Sequence, residues 1–126
     1  MYQRTVLIVE DEFLIRVLLA DTLAREGYDV FEAGSVLEAV AVLGQQRIDA
    51  IITDVDMPGG LSGLDLAEMV SSKHMSIPVI VASGGHKLRE DELPGDAVFV
   101  SKPYRLEDIA TMVDDMTSSN GPRLIA

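Results

Sequence analysis

Ile48-Asp49-Ala50-Ile51-Ile52-Thr53-Asp54-Val55-Asp56-Met57-Pro58 decides how the rest of the chain is read. Ala50-Ile51-Ile52 has no polar alternation, the mark of a strand covered on both faces, as in parallel sheets flanked by helices. Asp54 stands where that strand leaves the core, and Asp56-Met57-Pro58-Gly59-Gly60 reads as a turn because Pro and Gly interrupt both regular patterns. In open α/β sheets ligands gather beyond the carboxyl ends of the strands. The carboxylate of Asp54 is therefore expected within reach of solvent and substrate.

Outward from this strand the pattern repeats. Thr5-Val6-Leu7-Ile8-Val9 is a β-branched run, and Glu10-Asp11-Glu12 ends it and opens a helix whose amide dipoles favour negative charge. That helix is expected from about Glu12 to Glu26, with Gly27 as its C′ residue. Tyr28 to Ala33 reads as a second strand, and Ser35-Val36-Leu37-Glu38 has capping-box spacing before a helix through about Gln45. Leu64, Ala67 and Val70 recur at helical spacing between Gly63 and Lys73. Ile77 to Ala82 is a buried strand with Pro78 near its start. Ala97 to Val100 is the fifth strand, and Arg105 to Met116 the last helix, with Ile109, Met112 and Val113 facing in. His86 to Leu93 is polar and short, so the fourth helix is expected to be short or irregular.

Five strand-helix units with short connections predict an α/β fold, a doubly wound five-stranded parallel sheet with helices on both faces. A single domain over residues 1–126 is expected, its ordered core at about 4–117 and a loose tail from there to Ala126.

Composition narrows the function. Ten Lys and Arg against 21 Asp and Glu give a net charge of −11, a field that repels a nucleic-acid backbone, so no direct nucleic-acid binding is expected. The absence of cysteine excludes a disulfide scaffold and thiolate metal sites. No apolar run approaches membrane-spanning length, and the N-terminus is unlike a signal peptide. The expectation is a cytoplasmic protein without a membrane segment.

The strand ends carry the chemistry. Glu10 and Asp11 follow the first, Asp54 the third, Ser83 the fourth and Lys102 the fifth, and in a parallel sheet these ends share one edge. Crowded carboxylates repel one another beyond what one ammonium offsets. A hard divalent cation with oxygen ligands, Mg²⁺ or Mn²⁺, suits such a site. With the ion, Lys102 and the Ser83 hydroxyl around it, a phosphoryl group arriving at Asp54 would have its charge stabilised, and Asp54 would be the nucleophile.

These residues are where the chain resembles a known family. Val9-Glu10-Asp11, Thr53-Asp54-Val55-Asp56-Met57-Pro58, Ala82-Ser83-Gly84, and Phe99 ahead of Lys102-Pro103 together resemble the receiver domain of two-component response regulators, the CheY-like family, over essentially the whole length. The resemblance implies a flavodoxin-like strand order, 2-1-3-4-5. It implies phosphorylation of Asp54, as an aspartyl phosphate, from a histidine kinase or histidine phosphotransfer protein. Mg²⁺ would be held by Asp11, Asp54, the main-chain carbonyl of Asp56, and Glu10 through water. Ser83 would bond the phosphoryl group, Lys102 would pair with it, Phe99 would swing inward with Ser83, and the Lys102-Pro103 peptide would be cis. Several features differ from the common pattern: Glu10 stands for the commoner Asp, Ser83 for Thr, the loop Gly59-Gly60-Leu61-Ser62-Gly63 is one residue longer, and the span from Ser83 to Lys102 is shorter.

The first helix is more apolar than one buried stripe requires. Phe13, Val17, Ala20 and Ala24 make one stripe, Ile15, Leu19 and Leu23 another, with Leu14 and Leu18 between. Leu14, Ile15 and Leu18 are candidates for docking a partner helix, extra burial under a loop being the alternative. His74 and His86 are given no ligand role. The reading is a phosphoacceptor signalling domain, not an enzyme in the ordinary sense, either stand-alone or part of a larger kinase, acting on a downstream protein and compatible with a homodimer. Two alternatives remain: a haloacid-dehalogenase-type phosphohydrolase, suggested by Asp54-Val55-Asp56, and a pseudo-receiver that only binds.

Overall fold

The computed structural model describes residues 3–73, 75–85 and 87–118; His74, His86 and the segment 119–126 lie outside the described residues. Strands β1 (Thr5–Val9), β2 (Asp29–Ala33), β3 (Ala50–Asp54), β4 (Val79–Ser83) and β5 (Val98–Ser101) form one parallel sheet in the order β2-β1-β3-β4-β5. Helices α1 (Phe13–Arg25), α2 (Val36–Leu43), α3 (Gly63–Ser72) and α4 (Leu106–Ser118) complete it. The crossover from β4 to β5 holds a 3₁₀ turn, Glu90–Glu92, in place of a full helix.

Alternation along the strands builds two cores. Leu7, Val9, Ile51, Val79 and Val81 face Val36 and Ala39 of α2 and Leu66, Ala67 and Val70 of α3. Val6, Ile8, Ala50, Ile52 and Ile80 face Leu19 and Leu23 of α1 and Ile109, Ala110 and Val113 of α4. Each of the Val, Leu and Ile side chains, fully buried, contributes about 1.5–3 kcal/mol. The all-apolar central strand is thus explained by a core on each side.

Several local expectations are corrected by packing. In α1 the stripe Ile15, Leu19, Leu23 goes inward, while Phe13 and Leu14 are 67% and 65% exposed, so the surplus apolar surface is outside. At α2 the Ser35 side chain accepts from the Glu38 N–H, but Glu38 returns to the N–H of Gly34 rather than closing the box on Ser35. The complete capping box lies at α3, between Ser62 and Asp65, a pair the helical spacing alone did not single out. Helix α2 ends at Leu43, with Gly44 as its cap, short of Gln45. Helix α4 runs on through Ser118 instead of fraying at Thr117, because Thr117 continues the inward row of Ile109 and Val113. Its hydroxyl donates to the Val113 carbonyl at 2.7 Å in a fully buried position.

Candidate functional site

Register places the site. Asp54 ends β3 opposite Ala82 of β4, and the Val55 N–H donates to the Ala82 carbonyl at 2.9 Å, so the chain leaves the sheet one residue after the acid. Gly63, the first residue of α3, returns against this corner, its N–H donating to the Val55 carbonyl at 2.9 Å. A Cβ at Gly63 would lie 2.0 Å from the Asp54 carbonyl oxygen, so only glycine permits the approach.

Three carboxylates meet there. Glu10, Asp11 and Asp54 each offer an oxygen within 4.8 Å of the others. Glu10 is held on every side: its N–H donates to Ala33 at 3.0 Å, and its Oε2 accepts from the Glu12 N–H at 3.2 Å. Lys102, carried past the end of β5, donates to Glu10 Oε1 at 2.9 Å and stands 3.2 Å from Asp54 Oδ2. Its main-chain N–H donates to the Ser83 carbonyl at 3.0 Å, and the Lys102-Pro103 peptide is cis.

Electrostatics follow from burial. Desolvation pushes the Asp54 carboxyl above its ordinary value, with the charge of Asp11 adding to the rise and Lys102 working against it. Glu10 is likewise raised, chiefly by burial and in part by Asp54, against the hydrogen bond from Lys102. Burial pulls the Lys102 ammonium down, but the bond to Glu10 and the charges of Asp54 and Glu10 outweigh it and leave the pKa raised. One ammonium thus leaves the acids short of neutralisation. Their oxygen-only donor set fits a hard divalent cation.

Ser83 closes β4, buried, in register with Ser101, and its hydroxyl accepts from the Gly85 N–H at 3.2 Å. Phe99 pairs with Val81 two residues earlier on the same strand pair and is half-buried against the α2–α3 core. Asp56 lies exposed just past Val55. Ile15 and Leu18 line an apolar groove of about 460 Å³ with Lys102, Pro103, Tyr104 and Leu106, whereas Leu14 is exposed outside it. Tyr104 and Leu106 were not singled out in the sequence. Burial pushes the Tyr104 phenol up to about 12, and the charges it senses are those of the site, Lys102 first and then Glu10 and Asp54. The only local signal for it was an aromatic directly after Lys102-Pro103.

A five-stranded parallel sheet in this order, with acids and a lysine gathered at its carboxyl edge, defines a CheY-like fold. The family model for the response regulator receiver domain matches residues 6–114, and the chain belongs to that family, the signalling domains of two-component systems. It is 36% identical over 115 residues to the transcriptional regulatory protein PdtaR of Mycobacterium tuberculosis, with 88% of this chain and 55% of that protein covered. It is 28% identical to sporulation initiation phosphotransferase F of Bacillus subtilis, over 90% of this chain and 93% of that one. Among solved structures, the signal receiver domain of a signal transduction histidine kinase from Syntrophus aciditrophicus superposes with a TM-score of 0.82 at 28% identity, covering 98% of this chain and 97% of that one. The chain spans about half the length of PdtaR. Among the described residues no helix is long and apolar enough to cross a membrane.

Proposed function

We propose that Asp54 accepts a phosphoryl group from a phosphohistidine donor on a histidine kinase or histidine phosphotransfer protein. An Asp54 carboxylate oxygen forms the new bond to phosphorus as the bond to the imidazole nitrogen breaks, and the imidazole leaves with the bonding pair and takes up a proton. The observation that carries this reading is the meeting of Glu10, Asp11, Asp54 and Lys102 at one sheet edge. Glu10, Asp11, Asp54 and the main-chain carbonyl of Asp56 would hold Mg²⁺ (or Mn²⁺), which when bound draws charge from the transferring oxygens. Lys102, already paired with Asp54, stays beside the acceptor oxygen and follows the charge onto the phosphoryl group.

Ser83 sits one residue beyond the strand partner of Asp54, close enough along the edge for its hydroxyl to turn toward an added phosphoryl group. Phe99 shares that strand pair, so a change at Ser83 reaches it through β4 and β5 and alters the surface offered to a downstream protein or a second copy. The groove beside Lys102, with Ile15 and Leu18 on one wall and Tyr104 and Leu106 on the other, suits the apolar face of a donor helix. The domain works in the cytoplasm and performs only this self-directed transfer, alone or as part of a longer signalling protein.

Acetyl phosphate with Mg²⁺ tests the reading. One phosphate should add to the wild-type protein by intact mass, none to Asp54→Asn. Undiminished labelling of the variant, or steady release of phosphate from unrelated phosphomonoesters, would overturn it.

A further inference from the structure

Arg16 lies on the second turn of α1 and is four-fifths buried. Its Nη1 donates to the Glu10 main-chain carbonyl at 2.8 Å, and its Nε pairs with Glu32 Oε1 on β2 at 3.1 Å. The guanidinium also stands 5.4 Å over the ring of Phe13.

Glu10 lies one residue past the last register pairs of β1, Val9 with Ala33 and Val9 with Thr53, and its carbonyl accepts from the Arg16 side chain. Holding that oxygen fixes the plane of the Glu10-Asp11 peptide, which carries the Asp11 N and Cα, and so narrows the directions in which the Asp11 side chain can leave the backbone. The other three hydrogen-bonding groups of Glu10 are tied to Ala33, Glu12 and Lys102. Arg16 supplies the remaining tie, on the side nearest Asp11. Glu32 both steers the fork and offsets its charge, so the arginine can organise an acid pair without filling the cation's role.

We infer that Arg16 is a positioning residue, which presents Glu10 and Asp11 in the geometry that binds the divalent cation. The inference rests on the Mg²⁺-dependent reading above. It makes a prediction opposite in sign to simple electrostatics: deleting a positive charge near a cation site should tighten Mg²⁺ binding, whereas deleting a positioning residue loosens it.

Titration calorimetry of the protein with Mg²⁺ alone separates the two. Arg16→Ala should raise the Mg²⁺ Kd by about 10- to 100-fold, the usual loss when a group orienting a ligand is removed. Arg16→Lys keeps the charge but cannot fork to both partners, and should lie between that variant and wild type. Arg25→Ala, which removes an exposed cation paired within the same helix, should stay within about twofold. Melting of each variant without Mg²⁺ reports its fold, and Arg16→Lys carries the test where Arg16→Ala does not fold. A Kd unchanged or lowered in Arg16→Lys, or raised equally in Arg25→Ala, overturns the inference while leaving the phosphoacceptor reading intact. Absence of Mg²⁺ binding by the wild type sinks both.

Discussion

Gly63→Ala probes the corner that positions the acceptor. The added methyl would start 2.0 Å from the Asp54 carbonyl oxygen and 2.8 Å from both the Asp54 carbonyl carbon and Thr53 Oγ1, where ordinary contact begins at 3.4 Å. Relief therefore needs a displacement of about 1.4 Å, the difference of those two distances, shared between the first turn of α3 and the end of β3. The obstacle is backbone, so rotamer changes do not help. Overpacking of this kind costs about 1–3 kcal/mol. With an unfolding entropy of about 0.26 kcal/mol/K for 126 residues, the melting midpoint should fall by roughly 4–11 °C. Misplacing a reacting group by about 1 Å can cost 100-fold in rate, so acetyl phosphate labelling should slow far more than the stability loss alone implies. Gly44→Ala is the comparison, since a Cβ there meets nothing nearer than 3.6 Å at an ordinary helical φ of −76°. It should gain about 0.4–1 kcal/mol. A Gly63→Ala protein that melts and labels like wild type would refute the reasoning, because the steric contact would then be absent.

Burial raises the Asp54 and Glu10 carboxyls, so their protonated forms supply stability that is complete below the ordinary values of 3.8 and 4.5 and is lost as pH rises through the raised native values. Asp54→Asn should accordingly raise the melting midpoint of metal-free protein at pH 7, and the gain should vanish as pH falls below about 4; a gain independent of pH would contradict this. Lys102→Ala removes the cation bound to Glu10, whose side chain is 4% exposed, and leaves acids without their ammonium. It should cost about 1–3 kcal/mol at pH 7 by denaturant titration, less at acid pH, as well as slowing labelling; an unchanged midpoint would show the pair to be energetically idle. Leu18→Asp, at a site 46% exposed, should leave the midpoint and acetyl phosphate labelling near wild type while weakening transfer from a phosphohistidine protein. Equal losses with both donors would mark core damage instead of a lost docking surface.

Much of the fold was legible along the chain because it rests on local signals. Unbroken apolar runs such as Ala50-Ile51-Ile52, the capping serine at Ser35 and the turn glycine Gly27, with its φ of +97°, each act within a few residues. The gathering of Glu10, Asp11, Asp54 and Lys102 was legible too, since a parallel sheet puts all strand ends on one edge whatever the details of packing. What tertiary structure alone decided depends on distances between elements far apart in sequence. Lys102 reaches Glu10 more closely than Asp54, α1 turns Ile15 inward and leaves Leu14 outside, and Tyr104 enters a groove that no single helix forms. Arg16 reads as one more polar residue on α1 until β2 brings Glu32 beside it, and Gly63 reads as a helix start until β3 ends against it. Periodicity specifies which face of an element is apolar; only the packed neighbours specify what that face, or its one misplaced atom, will touch.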